Sequence, residues 1–108
     1  MRTVGRLLLW TLLLLAVSST MHRLKAANIE QGRRLALLYC AECHAVDKVS
    51  ASPLRIAPPF RKLHERYPVE MLEEALGEGI STGHPSMPQF QFEPDQIGDF
   101  IAFLKSLE

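Results

Sequence analysis

Cys40 and Cys43, the two cysteines of the chain, are separated by two residues and followed directly by His44. Two thiols at this spacing can bond to neighbouring edges of one porphyrin, and the adjacent histidine can then bind the central iron. The pattern C-x-x-C-H is the attachment signature of c-type haem. It constrains the fold strongly, because the chain has to wrap around a covalently attached disc.

Two other interpretations of the cysteine pair remain open at this point. A thioredoxin-like redox pair requires a βαβ pattern around the cysteines, and the sequence shows none. A zinc site would combine the two thiols with His44 and a remote histidine. Neither interpretation requires a histidine directly after the second cysteine, and we therefore favour haem.

The N-terminus has the pattern of a secretory signal peptide. Arg2 and Arg6 precede an apolar run of eleven residues, 7–17, which is followed by small residues from Ser18. The run is shorter than the about twenty residues that cross a bilayer as a helix. We assign residues 1–26 to the leader, with cleavage between 18 and 26, and 27–108 to one exported domain in the periplasm. Retention of the leader as an uncleaved anchor is the alternative.

Charge and size limit what the exported domain can do. The chain has 12 basic and 12 acidic residues, and removal of residues 1–26 leaves 8 basic and 12 acidic, a net charge of −4. This balance argues against nucleic-acid binding. A domain of roughly 80 residues is also close to the size at which an apolar core alone gives marginal stability. A covalently attached haem would enlarge that core.

The first predicted helix begins after Asn28, a good N-cap with Gln31 three residues on, and runs to about Cys40. Its predicted inward face, from the three- and four-residue spacing, comprises Ile29, Gly32, Ala36 and Tyr39.

The rest of the chain is predicted to be helices and loops without strands. Residues 47–59 form a loop and residues 60–67 a short helix. A further helix begins with Pro68 at its first position and ends at Gly77, with Met71 as core filler. Residues 77–92 form a second loop. A last helix begins near Pro94, with apolar side chains at helical spacing at Ile97, Phe100, Ile101, Leu104 and Leu107.

Met87 lies in the second loop and is predicted to be the sixth ligand of the iron. It has no helical partners at core spacing, and prolines at positions 85 and 88 stiffen the backbone around it. A thioether held in this way can bind iron. His84, on the same loop, is the competing ligand.

From Asn28 to Leu107 the sequence resembles the class I cytochromes c, especially the small bacterial forms with one haem. The resemblance rests on Gly32, the Cys40–His44 motif, Pro58 with Phe60, Met87-Pro88 and the closing 100–105 segment. It implies an all-α cytochrome c fold, with about four short helices and long loops around one covalent haem c.

The resemblance also implies roles for individual residues. Cys40 and Cys43 would carry the haem, and His44 and Met87 would be the axial ligands. The carbonyl of Pro58 would accept a hydrogen bond from the non-ligating nitrogen of His44. Gly32 would allow the first helix to cross closely over the last, against Phe100 and Phe103.

Two departures from the family limit what the resemblance implies, the first for the crossing of the first and last helices and the second for partners. Position 36 is alanine where the family often has an aromatic residue, and only Lys48, Lys62 and Lys105 follow Lys25. The ring of docking lysines of the mitochondrial members is therefore missing.

The expected function is one-electron transfer by a periplasmic monomer, not catalysis. Its partners would be redox proteins, including membrane complexes that it contacts transiently. One alternative is a dedicated electron-accepting subunit of a periplasmic dehydrogenase, docked through an acidic face at Glu70, Glu73, Glu74 and Glu78. Another is a five-coordinate gas-binding or peroxidase-like haem protein, in which Met87 would not bind iron.

Overall fold

Four helical segments make up the regular structure in the computed structural model, which describes residues 25–81 and 86–108. They are α1 (Ile29–Tyr39), a 3₁₀ helix (Phe60–Glu65), a 3₁₀ turn (Val69–Met71) that continues into α2 (Leu72–Glu78), and α3 (Pro94–Lys105). Within these residues, extended backbone pairs only at one antiparallel bridge, between Ile80 and Phe90. The all-α prediction is confirmed. The leader up to residue 24 and His84 lie outside the described residues.

α1 begins as the sequence predicts, because the side chain of Asn28 accepts a hydrogen bond from the backbone N–H of Gln31 at 3.1 Å. The predicted inward face is partly wrong. Ile29 is 50 % exposed and Tyr39 is 44 % exposed, and Leu35 is buried instead, beside Gly32 and Ala36. The rest of the protein therefore covers only the middle of α1, and both ends of the helix remain exposed.

Gly32 marks the place where α1 crosses α3. A Cβ atom at this position would overlap the carbonyl group of Asp99 and lie 2.8 Å from Cβ of Phe103. Only glycine permits so close an approach of the two backbones. The crossing predicted at Gly32 is present. Phe103 is among the nearest residues as predicted, whereas the closest atoms belong to Asp99 and not to Phe100.

The helix predicted from Pro68 to Gly77 differs at both ends. Pro68 has extended backbone angles and precedes a 3₁₀ turn, and α2 itself begins at Leu72. The helix passes through Gly77 and ends at Glu78. Gly79 stops it, because its φ of 99° lies in the region that only glycine adopts readily. Met71 was predicted in the core and is 69 % exposed, because the 3₁₀ turn presents it to solvent.

α3 begins at Pro94 as predicted, with a capping box between Glu93 and Gln96. Its buried residues form the centre of the core. Residues from α1, the 3₁₀ helix and α2 pack around them, together with Phe92. The buried apolar set includes Leu35, Phe60, Leu63, Leu76, Phe92, Phe100, Ile101, Phe103 and Leu104. The core leaves one side of these helices open toward a cavity.

Candidate functional site

A cavity of about 420 Å³ lies between the end of α1, the loop before the 3₁₀ helix, α2 and the segment 86–92. Cys40, Cys43, His44 and Met87 all line it. Most of the remaining wall is apolar, from Phe60, Leu63, Leu72, Leu76, Ile80 and Phe92. The structure therefore brings the predicted site residues to one apolar cavity.

The two cysteines lie on a turn that follows α1. The N–H groups of Cys43 and His44 donate to the carbonyl oxygen of Cys40 at 3.2 and 2.9 Å. Neither cysteine is part of a disulfide, and both are half-buried. The pKa of the Cys40 thiol is raised to about 12, mainly by burial and to a smaller extent by the negative charge of Cys43. A redox-active C-x-x-C pair depends on a lowered thiol pKa, so this environment argues against thioredoxin-like chemistry.

The imidazole of His44 is fixed by a backbone contact. Its Nδ1 lies 2.8 Å from the carbonyl oxygen of Pro58, and its ring packs against Phe60 at 5.0 Å between centroids. Phe60 is tied to the same turn, because its N–H donates to the carbonyl oxygen of Ala45 at 3.0 Å. With Nδ1–H donating to Pro58, the lone pair of Nε2 is left available for a metal.

Met87 is half-buried on a segment that is fastened to the end of α2. The N–H of Ile80 donates to the carbonyl oxygen of Phe90 at 2.8 Å, and the N–H of Phe92 donates to that of Leu76 at 2.9 Å. These bonds hold the chain that follows Met87 beside the cavity. The competing ligand, His84, cannot be compared because it lies outside the described residues.

The cavity has lining residues that the sequence reasoning did not include. Tyr39, Arg66 and Tyr67 contribute rings or polar groups to its wall. Tyr39 directly precedes Cys40, so its place beside the cavity could have been inferred from the motif. Arg66 and Tyr67 follow Leu63 by three and four residues, which is the spacing that returns a helical chain to the same side.

The donor set fits a covalently bound haem better than a zinc ion. Over residues 25–81 and 86–108, no group of three or more His, Cys, Asp or Glu side chains is arranged to hold a metal ion. Two thiols, an imidazole and a thioether instead surround a space with apolar walls. A flat apolar macrocycle can fill such a space, and the imidazole and the thioether could bind its iron.

Comparison with known proteins identifies the family. The family model for cytochrome c matches residues 29–108. The chain belongs to the cytochrome c family. It is also similar to cytochrome c-552 of Bradyrhizobium diazoefficiens, with 33 % identity over 95 residues that cover 88 % of this chain and 89 % of the relative. No solved structure matches the chain.

Membership of the family establishes the cofactor and the class of activity. The protein carries covalently attached haem c, and Cys40 and Cys43 fit the C-x-x-C-H attachment motif; it is an electron-transfer protein and not an enzyme. Small bacterial cytochromes c are typically exported. In the part of the chain that the structure describes, every helix is too short or too polar to span a membrane.

Proposed function

We propose that this cytochrome c is a periplasmic one-electron carrier whose haem iron is held by His44 and Met87. The observation that supports the proposal best is the shared cavity. His44 and Met87 line the same space as the two attachment cysteines, and Nδ1 of His44 is engaged by Pro58.

The side chains around the cavity fit electron transfer. Thioether bonds from Cys40 and Cys43 would keep the cofactor in place, and Pro58 would hold the His44 ring in one tautomer and orientation. The haem iron supplies the one-electron couple. Ligands on both faces would leave no open coordination position for oxygen or peroxide, and histidine with methionine in an apolar pocket favours the ferrous state.

We propose that the protein acts as a monomer and that its partners are redox proteins, which it contacts briefly. Ile56 lines the cavity and is 62 % exposed, so an apolar side chain borders the cofactor site at the surface. Small and weak interfaces suit rapid exchange of electrons. Membrane-bound redox complexes belong to the same proposal, as transient partners. The mass of the purified protein tests whether the leader is cleaved, because cleavage between residues 18 and 26 shortens the chain, whereas an uncleaved anchor leaves it at full length.

The experiment that tests the carrier function is a redox titration combined with carbon monoxide binding. We expect a reversible titration with one electron, and a reduced protein that binds carbon monoxide poorly because Met87 occupies the sixth position. Met87→Ala should bind carbon monoxide rapidly. Met71→Ala is the matched control, because Met71 is 69 % exposed and does not line the cavity. Rapid binding by the unsubstituted protein would contradict the proposal and favour a gas-binding or peroxidase-like role.

A further inference from the structure

Tyr39 is the last residue of α1 and contacts the segment that follows Met87. The centroid of its ring lies 6.0 Å from that of Phe90, in an edge-to-face arrangement, and 5.7 Å from that of Phe92. Its side chain also lines the haem cavity and remains 44 % exposed. Tyr39 therefore lies between the attachment turn, which begins at Cys40, and the chain that carries Met87.

The sequence Gln-Phe-Gln-Phe at 89–92 explains how both rings reach Tyr39. Residues two apart in an extended chain share a face, so Phe90 and Phe92 can pack on the same ring. Gln91 instead donates from Nε2 to the carbonyl oxygen of Gly77 at 3.0 Å. The segment is thus held from two directions, by Tyr39 and by the end of α2.

Fixing Phe90 restricts Met87. The two residues are three positions apart, and Pro88 lies between them. Proline fixes its own φ and limits the backbone of the residue before it, which here is Met87. Pro88 therefore reduces the backbone freedom between the ring that Tyr39 contacts and Met87, which lines the cavity.

We propose that Tyr39 is a positioning residue: its ring clamps the 89–92 segment and so holds the sulfur of Met87 toward the haem iron. The proposal rests on the proposed function, because it takes Met87 as the ligand. The clamp requires the aromatic ring of Tyr39 and not its hydroxyl group, since both contacts are between rings. The clamp also links the attachment turn to the ligand segment without passing through the haem.

The size of the effect follows from the two ring contacts. Loss of both is expected to raise the fraction of molecules with a detached 89–92 segment about tenfold, within the usual range for aromatic pairs. The rest of the fold should be little affected, because Tyr39 is half exposed and lies at the end of its helix.

Amide hydrogen exchange of the haem-loaded protein tests the clamp directly. In Tyr39→Ala we expect the amides of Ile80 and Phe92, which bond to Phe90 and Leu76, to exchange about tenfold faster than in the unsubstituted protein. The amide of Leu104, in the core of α3, should be unchanged. Unchanged exchange at Ile80 and Phe92 would overturn the proposal.

Two control variants separate the ring from other effects. Tyr39→Phe keeps the ring and should match the unsubstituted protein. Leu38→Ala shortens a neighbouring side chain that is 72 % exposed, and it should also leave the exchange unchanged. If Tyr39→Phe exchanged as fast as Tyr39→Ala, the hydroxyl would be the essential group and the proposal would be wrong.

If Tyr39→Ala fails to mature, Phe90→Leu removes one of the two ring pairs and should accelerate exchange at Ile80 by about threefold.

The consequence for Met87 is read from the sulfur-to-iron charge-transfer band of the ferric protein. During urea titration of Tyr39→Ala the band should disappear before the far-ultraviolet helix signal, whereas in Tyr39→Phe the two should be lost together as in the unsubstituted protein. Simultaneous loss in Tyr39→Ala would contradict the positioning role. An unsubstituted protein without the band would contradict Met87 ligation, and thus the proposed function, while the exchange data would still decide whether Tyr39 clamps the segment.

Discussion

Asp99 shows how one buried side chain can join two ends of the fold. It lies in α3, is 8 % exposed, and accepts the backbone N–H of Asn28 on Oδ1 at 2.6 Å. Asn28 in turn caps α1 with its side chain. A buried polar group is tolerated when it is hydrogen-bonded, and this bond fixes the start of α1 against α3.

We therefore predict that Asp99→Ala destabilises the protein by about 1–3 kcal/mol, because the N–H of Asn28 loses a charged acceptor in a half-buried place. Asp99→Asn should cost less, since its amide oxygen can still accept. Asp95→Ala, on an exposed position of the same helix, is the control and should cost less than about 1 kcal/mol. Urea unfolding measures all three, and equal losses in the Asp99→Ala and Asp95→Ala proteins would contradict the role of Asp99.

At the scale of elements, the close crossing of α1 and α3 organises the core. The backbone of Asp99 occupies the space where Gly32 would carry a side chain, and Phe103 packs beside it. The cysteine turn begins where α1 ends, so the crossing also sets the position of the haem attachment site.

Two glycine-to-alanine substitutions test the crossing with the same chemical change. Gly32→Ala is expected to lose about 1–3 kcal/mol, because the helices have to separate. Gly98→Ala on α3 has no atom within 4 Å of the new Cβ, and should gain about 0.5–1 kcal/mol from the higher helix propensity of alanine. Urea titrations of both variants and the unsubstituted protein give the free energies of unfolding that test this prediction. A tolerated Gly32→Ala would mean that the helices do not meet there.

The loop before the 3₁₀ helix depends on Asp47. Hydrogen bonds from the side chain and backbone of Ser50, and from the backbone of Val49, lower the pKa of Asp47 from 3.8 to about 2. Since the folded pKa is the lower one, the contribution of the ionised carboxylate to stability is fully present above about pH 4 and is lost as the pH falls toward 2.

We predict that the melting temperatures of the unsubstituted protein and Asp47→Asn differ at pH 6 and converge between about pH 4 and pH 2. Asp95→Asn provides an exposed control on another element. A difference that stayed constant down to pH 2 would show that the charge of Asp47 does not stabilise the loop.

Local signals predicted much of the fold, and long-range contacts account for the errors. The cap at Asn28 and the start at Pro94 are short-range features, and both helices begin as expected. No local rule distinguishes Gly77 from Gly79 as the end of α2, because the choice depends on which of them adopts a positive φ.

In the site, too, local features could be predicted from the sequence and long-range contacts could not. The attachment motif and the isolated Met87 were visible in the sequence, since their chemistry is local. The exposure of Met71 and the packing of Tyr39 on Phe90 were not, because both depend on how distant segments meet.

At the scale of the molecule, the cavity is part of the core. Apolar side chains that line it, among them Phe60, Leu63 and Leu76, also belong to the buried cluster. Leu72 and Ile80, which line the same cavity, are only partly buried by the protein itself, and a domain of this size has little stability to spare.

We therefore predict that a protein with both attachment cysteines replaced, Cys40→Ala with Cys43→Ala, loses most of its helical signal when it is purified without haem. Far-ultraviolet circular dichroism and thermal unfolding against the haem-loaded protein are the measurements. A haem-free double variant with the same spectrum and a cooperative transition would contradict the idea that haem completes the core.

The central claim is that His44 and Met87 bind the iron on its two faces. The most direct test is the absorption spectrum of the ferric protein, recorded for the unsubstituted chain, Met87→Ala and Met71→Ala. The account predicts a sulfur-to-iron charge-transfer band that is present in the unsubstituted protein and in Met71→Ala, and absent in Met87→Ala. A ferric protein without the band, or a band that survives in Met87→Ala, would contradict it.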